Sequence, residues 1–192
     1  MGSRHPSVDR SRRSLRRAAR PRWVFCFLPD PARHVDKLVA ALRPGGRLVI
    51  QDDAHREAFA VFPRPEAWSD FLEVDRTLFS SHGGDGSIGG RLPALFAGAG
   101  LTMVDAVPIQ KSGPPASDVW LWLWDFLLSI RERYALVAPL SADKVRAIER
   151  EWRAAADDPL AFITAPAVVG LIAQKGPRRS VTRTSTTGAA GS

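Results

Sequence analysis

Cysteine is all but missing from this chain, with Cys26 the only one in 192 residues. That excludes an intramolecular disulfide framework and a multi-cysteine zinc cage. The four histidines are scattered without the paired spacing of metal ligands, so no metal site is expected. No apolar run approaches the ~20 residues needed to cross a bilayer, and no membrane partner is expected. Acidic residues are scarce at the ends. Residues 1–22 hold eight arginines and one aspartate, and residues 175–192 hold four basic groups and no acid. The net charge of +7 therefore belongs to the termini, because the span between them has 15 basic and 19 acidic residues. A nucleic-acid-binding domain concentrates basic charge on its folded face, so nucleic acid is an unfavoured partner.

What remains is globular in composition, 45% hydrophobic and 24% charged. Residues 1–22 carry too few apolar groups to offset the entropy of ordering and read as a disordered Arg-rich leader. The leader lacks the sustained apolar face of a transit peptide, and the cytoplasm is the expected location. Residues 176–192 read as a disordered tail, which leaves one domain over residues 23–175.

Within that domain, Trp23 to Leu28 is a nearly continuous apolar run that predicts a strand buried on both faces. Val35, Leu38, Val39 and Leu42 follow at helical spacing, Pro44 stops the helix, and Gly45-Gly46 return the chain to a second strand at Leu48–Ile50. Strand, helix, glycine turn and strand make a βαβ unit. Helices are predicted over residues 66–79, from an N-cap at Ser87 to Ala97, over the Trp-rich span 119–137, and after a cap at Ser141. Residues 101–109 predict a strand. Residues 162–164 and 168–173 predict strand again, as one strand bent at Pro166.

The ordered run LPDPARHVDKLVAALRPGGRLVIQDD resembles the fourth strand, following helix and fifth strand of class I S-adenosylmethionine-dependent methyltransferases of small-molecule type. Leu28-Pro29-Asp30 is similar to the LPD after that family's fourth strand, and Leu42-Arg43-Pro44-Gly45-Gly46 to its L-[KR]-P-G-G turn. GGDGSIGGRLPALFAGAGL and FITAPAVVGLIAQKG resemble a later loop and helix and the closing antiparallel strand. The resemblance implies an α/β fold, a truncated Rossmann-like sheet equivalent to the fourth to seventh strands, with a helical insertion. It implies S-adenosylmethionine as cofactor and a small-molecule acceptor. No GxGxG precedes Trp23, so the expectation is a C-terminal portion that is weakly active or inactive alone.

Ligands of open α/β sheets gather at the carboxyl ends of the strands. The resemblance then implies that Cys26, Phe27 and Leu28 line the adenosyl pocket. Asp52, Asp53 and His55 would orient an acceptor or take its proton. Against this, the two aspartates also suit solvated strand ends, and His55 an ordinary loop. His82 and Asp85, in and beside the glycine-rich Gly83–Gly90, suit either a flap over the acceptor or a linker. Trp120 and Trp124 suit an acceptor lid or, more simply, core or a subunit interface. The alternative function is a non-catalytic interaction module. Its exposed sheet edge and Trp-rich helix would dock a partner, a complementing chain or a second copy of itself.

Overall fold

A computed structural model describes residues 16–177 of the chain. In chain order the elements are β1 (Arg16–Ala19), α1 (Pro31–Ala41), β2 (Leu42–His55), β3 (Ala60–Phe62), α2 (Trp68–Ser81) and α3 (Leu92–Gly98). They continue through β4 (Leu101–Ile109), β5 (Ser112–Gly113), α4 (Asp118–Tyr134), α5 (Ala142–Ala155), β6 (Phe162–Thr164) and β7 (Ala167–Lys175). The protein is mixed α/β, the class expected from its sequence.

Two sheets organise it. The larger has the order β1-β2-β7-β4, with β1 parallel to β2 and β7 antiparallel to both of its neighbours. The smaller, β3-β6-β5, is antiparallel. Local chemistry explains the βαβ unit. Asp30 caps α1 by accepting from the Arg33 N–H at 3.0 Å, and Pro31 fills the first helical position. Gly45 turns the chain back at φ +74°, and Gly46 has no room for a side chain, since a Cβ would sit 2.8 Å from the Arg43 carbonyl. One apolar core joins Val35, Leu48, Ile50, Phe96 and Leu171 beneath the large sheet. A second joins α2, α4 and α5 through Trp68, Phe71, Leu127 and Trp152.

Several elements fall differently from the sequence reading. The strand expected over residues 23–28 is instead a 3-10 turn at Phe25–Phe27, and the strand that pairs with β2 lies upstream at Arg16–Ala19. The cause is a carboxylate. Asp52 Oδ2 accepts from the N–H groups of Val24 and Phe25 at 3.0 and 2.7 Å, and its Oδ1 accepts from Cys26 N–H at 3.1 Å. Three successive amides converging on one anion curl the backbone into a nest and cannot also serve a strand ladder. Trp23 enters the nest at φ +48°. The edge strand of the described sheet is consequently β1, not residues 23–28. The expected single strand bent at Pro166 is two strands in different sheets. Helix α3 starts at Leu92, because Ser87 makes no cap and a 3-10 turn at Ile88–Gly90 comes first. Residues 1–15 of the proposed leader and 178–192 of the proposed tail lie outside the described residues.

Candidate functional site

A cavity of about 600 Å³ lies at the carboxyl end of β2, against the Trp23–Phe27 segment that follows β1. Its size suits a small organic ligand. Trp23, Cys26 and Phe27 border it beyond β1, and Asp53, Arg56 and Phe59 at and beyond the end of β2. Helix α2 adds Leu78, Phe79 and His82. Helix α4 adds Trp122, Phe126, Ile130 and Arg133, residues spaced four, four and three apart and hence on one face. Trp122 stacks on Trp23 with ring centroids 5.5 Å apart, and Phe27 stacks on Phe79 at 5.3 Å. The walls are largely aromatic.

At the floor lies a buried ionic cluster. Arg56 donates to Asp53 Oδ2 at 3.1 Å and, with two N–H groups, to both oxygens of Asp75. Tyr134 donates its hydroxyl to Asp75 Oδ1, and Trp23 Nε1–H donates to Asp53 Oδ1 at 3.1 Å. The Arg56 guanidinium also lies 4.2 Å from the Phe79 ring centroid. Burial raises the Asp53 carboxyl above the ordinary carboxylate value, and Arg56 offsets part of that rise. Burial, then the Asp75 carboxylate, raise the Tyr134 phenol, which stays protonated and donating. Burial alone would lower the Arg56 value, but hydrogen bonding and attraction to Asp75 and the charge of Asp53 hold it above normal. The Cys26 thiol is pushed up by burial and by Asp52 beside it.

The sequence-derived candidates separate against this geometry. Asp53, Cys26, Phe27 and His82 line the cavity. Asp52 is fully buried, and its oxygens are spent on the nest and on the Asp53 N–H at 3.1 Å, which makes it an anchor for the cavity wall. His55 is exposed at the end of β2, outside the lining. Leu28 is half-buried and also outside it. Asp85 accepts from Ser87 N–H and from Arg91 at 2.8 Å each, and Gly83–Gly90 packs closely rather than standing free. A Cβ on Gly84 would come within 2.7 Å of the Cys26 carbonyl, and one on Gly89 within 2.9 Å of the Asp53 carbonyl. Trp120 and Trp124 turn away from the cavity onto Trp152 of α5, at 6.0 and 5.4 Å. Trp122 faces it instead.

Arg56, Asp75 and Tyr134 escaped the sequence reading. Asp75 did leave a signal, since it stands seven residues after Trp68 and four after Phe71, an acid in an apolar stripe. Among the described residues, no group of three or more His, Cys, Asp or Glu is placed to hold a metal ion. No helix there is long and apolar enough to cross a membrane.

The chain is similar, at low sequence identity, to solved structures of methyltransferases. A Bacillus halodurans protein assigned as a methyltransferase matches at 14% identity and TM-score 0.47, over 83% of this chain and 70% of its own. A Galdieria sulphuraria protein assigned as a sarcosine dimethylglycine methyltransferase matches at 16% and 0.43, over 84% and 53%. Phosphoethanolamine N-methyltransferase 2 of Haemonchus contortus, solved with S-adenosyl-L-methionine, matches at 13% and 0.36, over 83% and 33%. The chain thus spans about half or less of the second and third structures. No family model and no curated protein matches the sequence.

Proposed function

We propose that the chain is an S-adenosylmethionine-dependent methyltransferase fold whose aromatic cavity receives a small-molecule acceptor. The observation that carries the reading is the cavity's place at the carboxyl end of β2, beside the segment that leaves its parallel neighbour β1, since open α/β sheets bind ligands at strand carboxyl ends. The LPD motif precedes α1, LRPGG opens β2 directly after it, and β7 pairs antiparallel with β2, like the closing strand that the resemblance implies. Asp53 and Tyr134, paired within the floor cluster, give the apolar walls a rigid polar base. Catalysis in such a site would draw on positioning and on exclusion of water.

The described residues do not by themselves fit the whole cofactor. Cys26 and Phe27 offer a flat, apolar contact for an adenine. The carboxylate oxygens of Asp53 are engaged by Trp23 and Arg56, however, and the amide nest is filled by Asp52. Among the described residues that line the cavity, no carboxylate is left over for a ribose diol and no open amide cradle for the methionyl end, so no catalytic step is derived through the cofactor. The expected behaviour is weak activity or none for this chain alone. Calorimetric titration with S-adenosylmethionine tests this, with an expected Kd of about 1 mM. Micromolar binding by a monomer would contradict the incomplete cofactor site. Complete absence of saturable heat in the millimolar range would sink the methyltransferase reading.

A further inference from the structure

The cavity has one cation that its own carboxylates do not neutralise. At the floor, Arg56 is held between Asp53 and Asp75. At the rim, Arg133 has no acidic partner among the described residues. Arg131, two positions earlier on α4, pairs with Glu149 at 3.6 Å. Both arginines suit the last turn of a helix, where cations meet the negative dipole end. Only Arg133 is braced at the cavity. His82 Nδ1 lies 2.8 Å from the Leu78 carbonyl and 3.0 Å from the Ser81 hydroxyl, which hold the ring at the end of α2. Arg133 Nη2 lies across the ring, 3.1 Å from Nε2 and 3.5 Å from Nδ1. The imidazole thus holds the guanidinium at the rim, where it meets no carboxylate among the described residues.

We propose that this rim is an anion subsite, and that the cavity's ligand is a small amphiphile with an apolar body and a carboxylate or phosphate head. The body would lie against Trp122, Phe126 and Ile130, which share Arg133's face of α4. The head would take the remaining N–H groups of the guanidinium, whose fork matches either anion. Binding energy would then come from aromatic burial and one charge-assisted contact, while the floor cluster stays internally paired. This specifies the ligand class for the acceptor pocket proposed above and rests on that reading.

A matched series of octanoate, octyl phosphate, octanol and octylamine, titrated calorimetrically into the full chain and its variants, tests the subsite. The two anions are expected to bind at least about tenfold more tightly than octanol, with octylamine weakest. Arg133→Gln should erase that advantage and leave octanol binding unchanged, while Arg133→Lys should retain part of it. Whichever anion binds more tightly identifies the head group as carboxylate or phosphate. Octylamine binding best, or an Arg133→Gln chain that still prefers the anions, would overturn the proposal. Cofactor binding is not read in this titration, so its failure is distinct from failure of the methyltransferase reading.

Discussion

Replacing Asp52 with alanine removes the acceptor for four backbone N–H groups, those of Val24, Phe25, Cys26 and Asp53. Val24 is 41% exposed, so its amide can turn to water. Phe25, Cys26 and Asp53 are at most 2% exposed, so water cannot readily replace the lost acceptor there. At about 1–3 kcal/mol for each buried unsatisfied group, the three donors cost about 3–9 kcal/mol. Total stabilities of domains are only about 5–15 kcal/mol, so Asp52→Ala is expected to be barely folded. Asp52→Asn keeps one acceptor oxygen but sets an NH2 group against amide donors. It should fold with a loss of about 2–3 kcal/mol. Urea unfolding followed by tryptophan fluorescence measures both. A loss under about 1 kcal/mol for the alanine variant would refute the claim that this carboxylate shapes the cavity wall.

The raised Asp53 value gives a pH dependence of definite sign. A carboxyl that holds its proton more tightly when folded contributes stability below its unfolded pKa, and that contribution is lost as pH rises through the folded value. Stability measured by urea midpoint should fall on that rise, and Asp53→Asn should flatten the fall; an equal slope in both proteins would count against it. Cys26, buried and protonated, should resist thiol reagents at neutral pH and react only as fast as the chain unfolds. Rapid labelling of the native protein would contradict that. Gly89→Ala should destabilise by about 1–3 kcal/mol, because its Cβ would meet Val169 at 2.7 Å. A neutral effect would restore the mobile-flap reading of the glycine-rich loop.

The βαβ unit was legible because its signals are local: an Asp30 cap, a proline at the helix start, a glycine turn, then alternating burial along β2. The Trp23–Leu28 run misled for a non-local reason. Its apolar side chains do bury at Phe25 and Cys26, but a carboxylate some 26 residues on claims its amides. Nothing in the run itself records that. Helix α4 is apolar nearly all round, so periodicity could not say which tryptophans face the cavity. Trp120 and Trp124 lie almost in line, one turn apart, with Trp122 opposite them. Arg56 was hidden because its role depends on Asp75 and Tyr134, 19 and 78 positions away.

The central proposal is that the cavity at the carboxyl end of β2 is a methyltransferase site. Titrating 15N-labelled protein with S-adenosylhomocysteine and following its amide and indole N–H signals tests it most directly. The account predicts weak binding, with shifts concentrated at the Trp23 indole and at the amides of Cys26 and Phe27. Shifts centred on any surface remote from that cavity, or none at any of these groups, would contradict it.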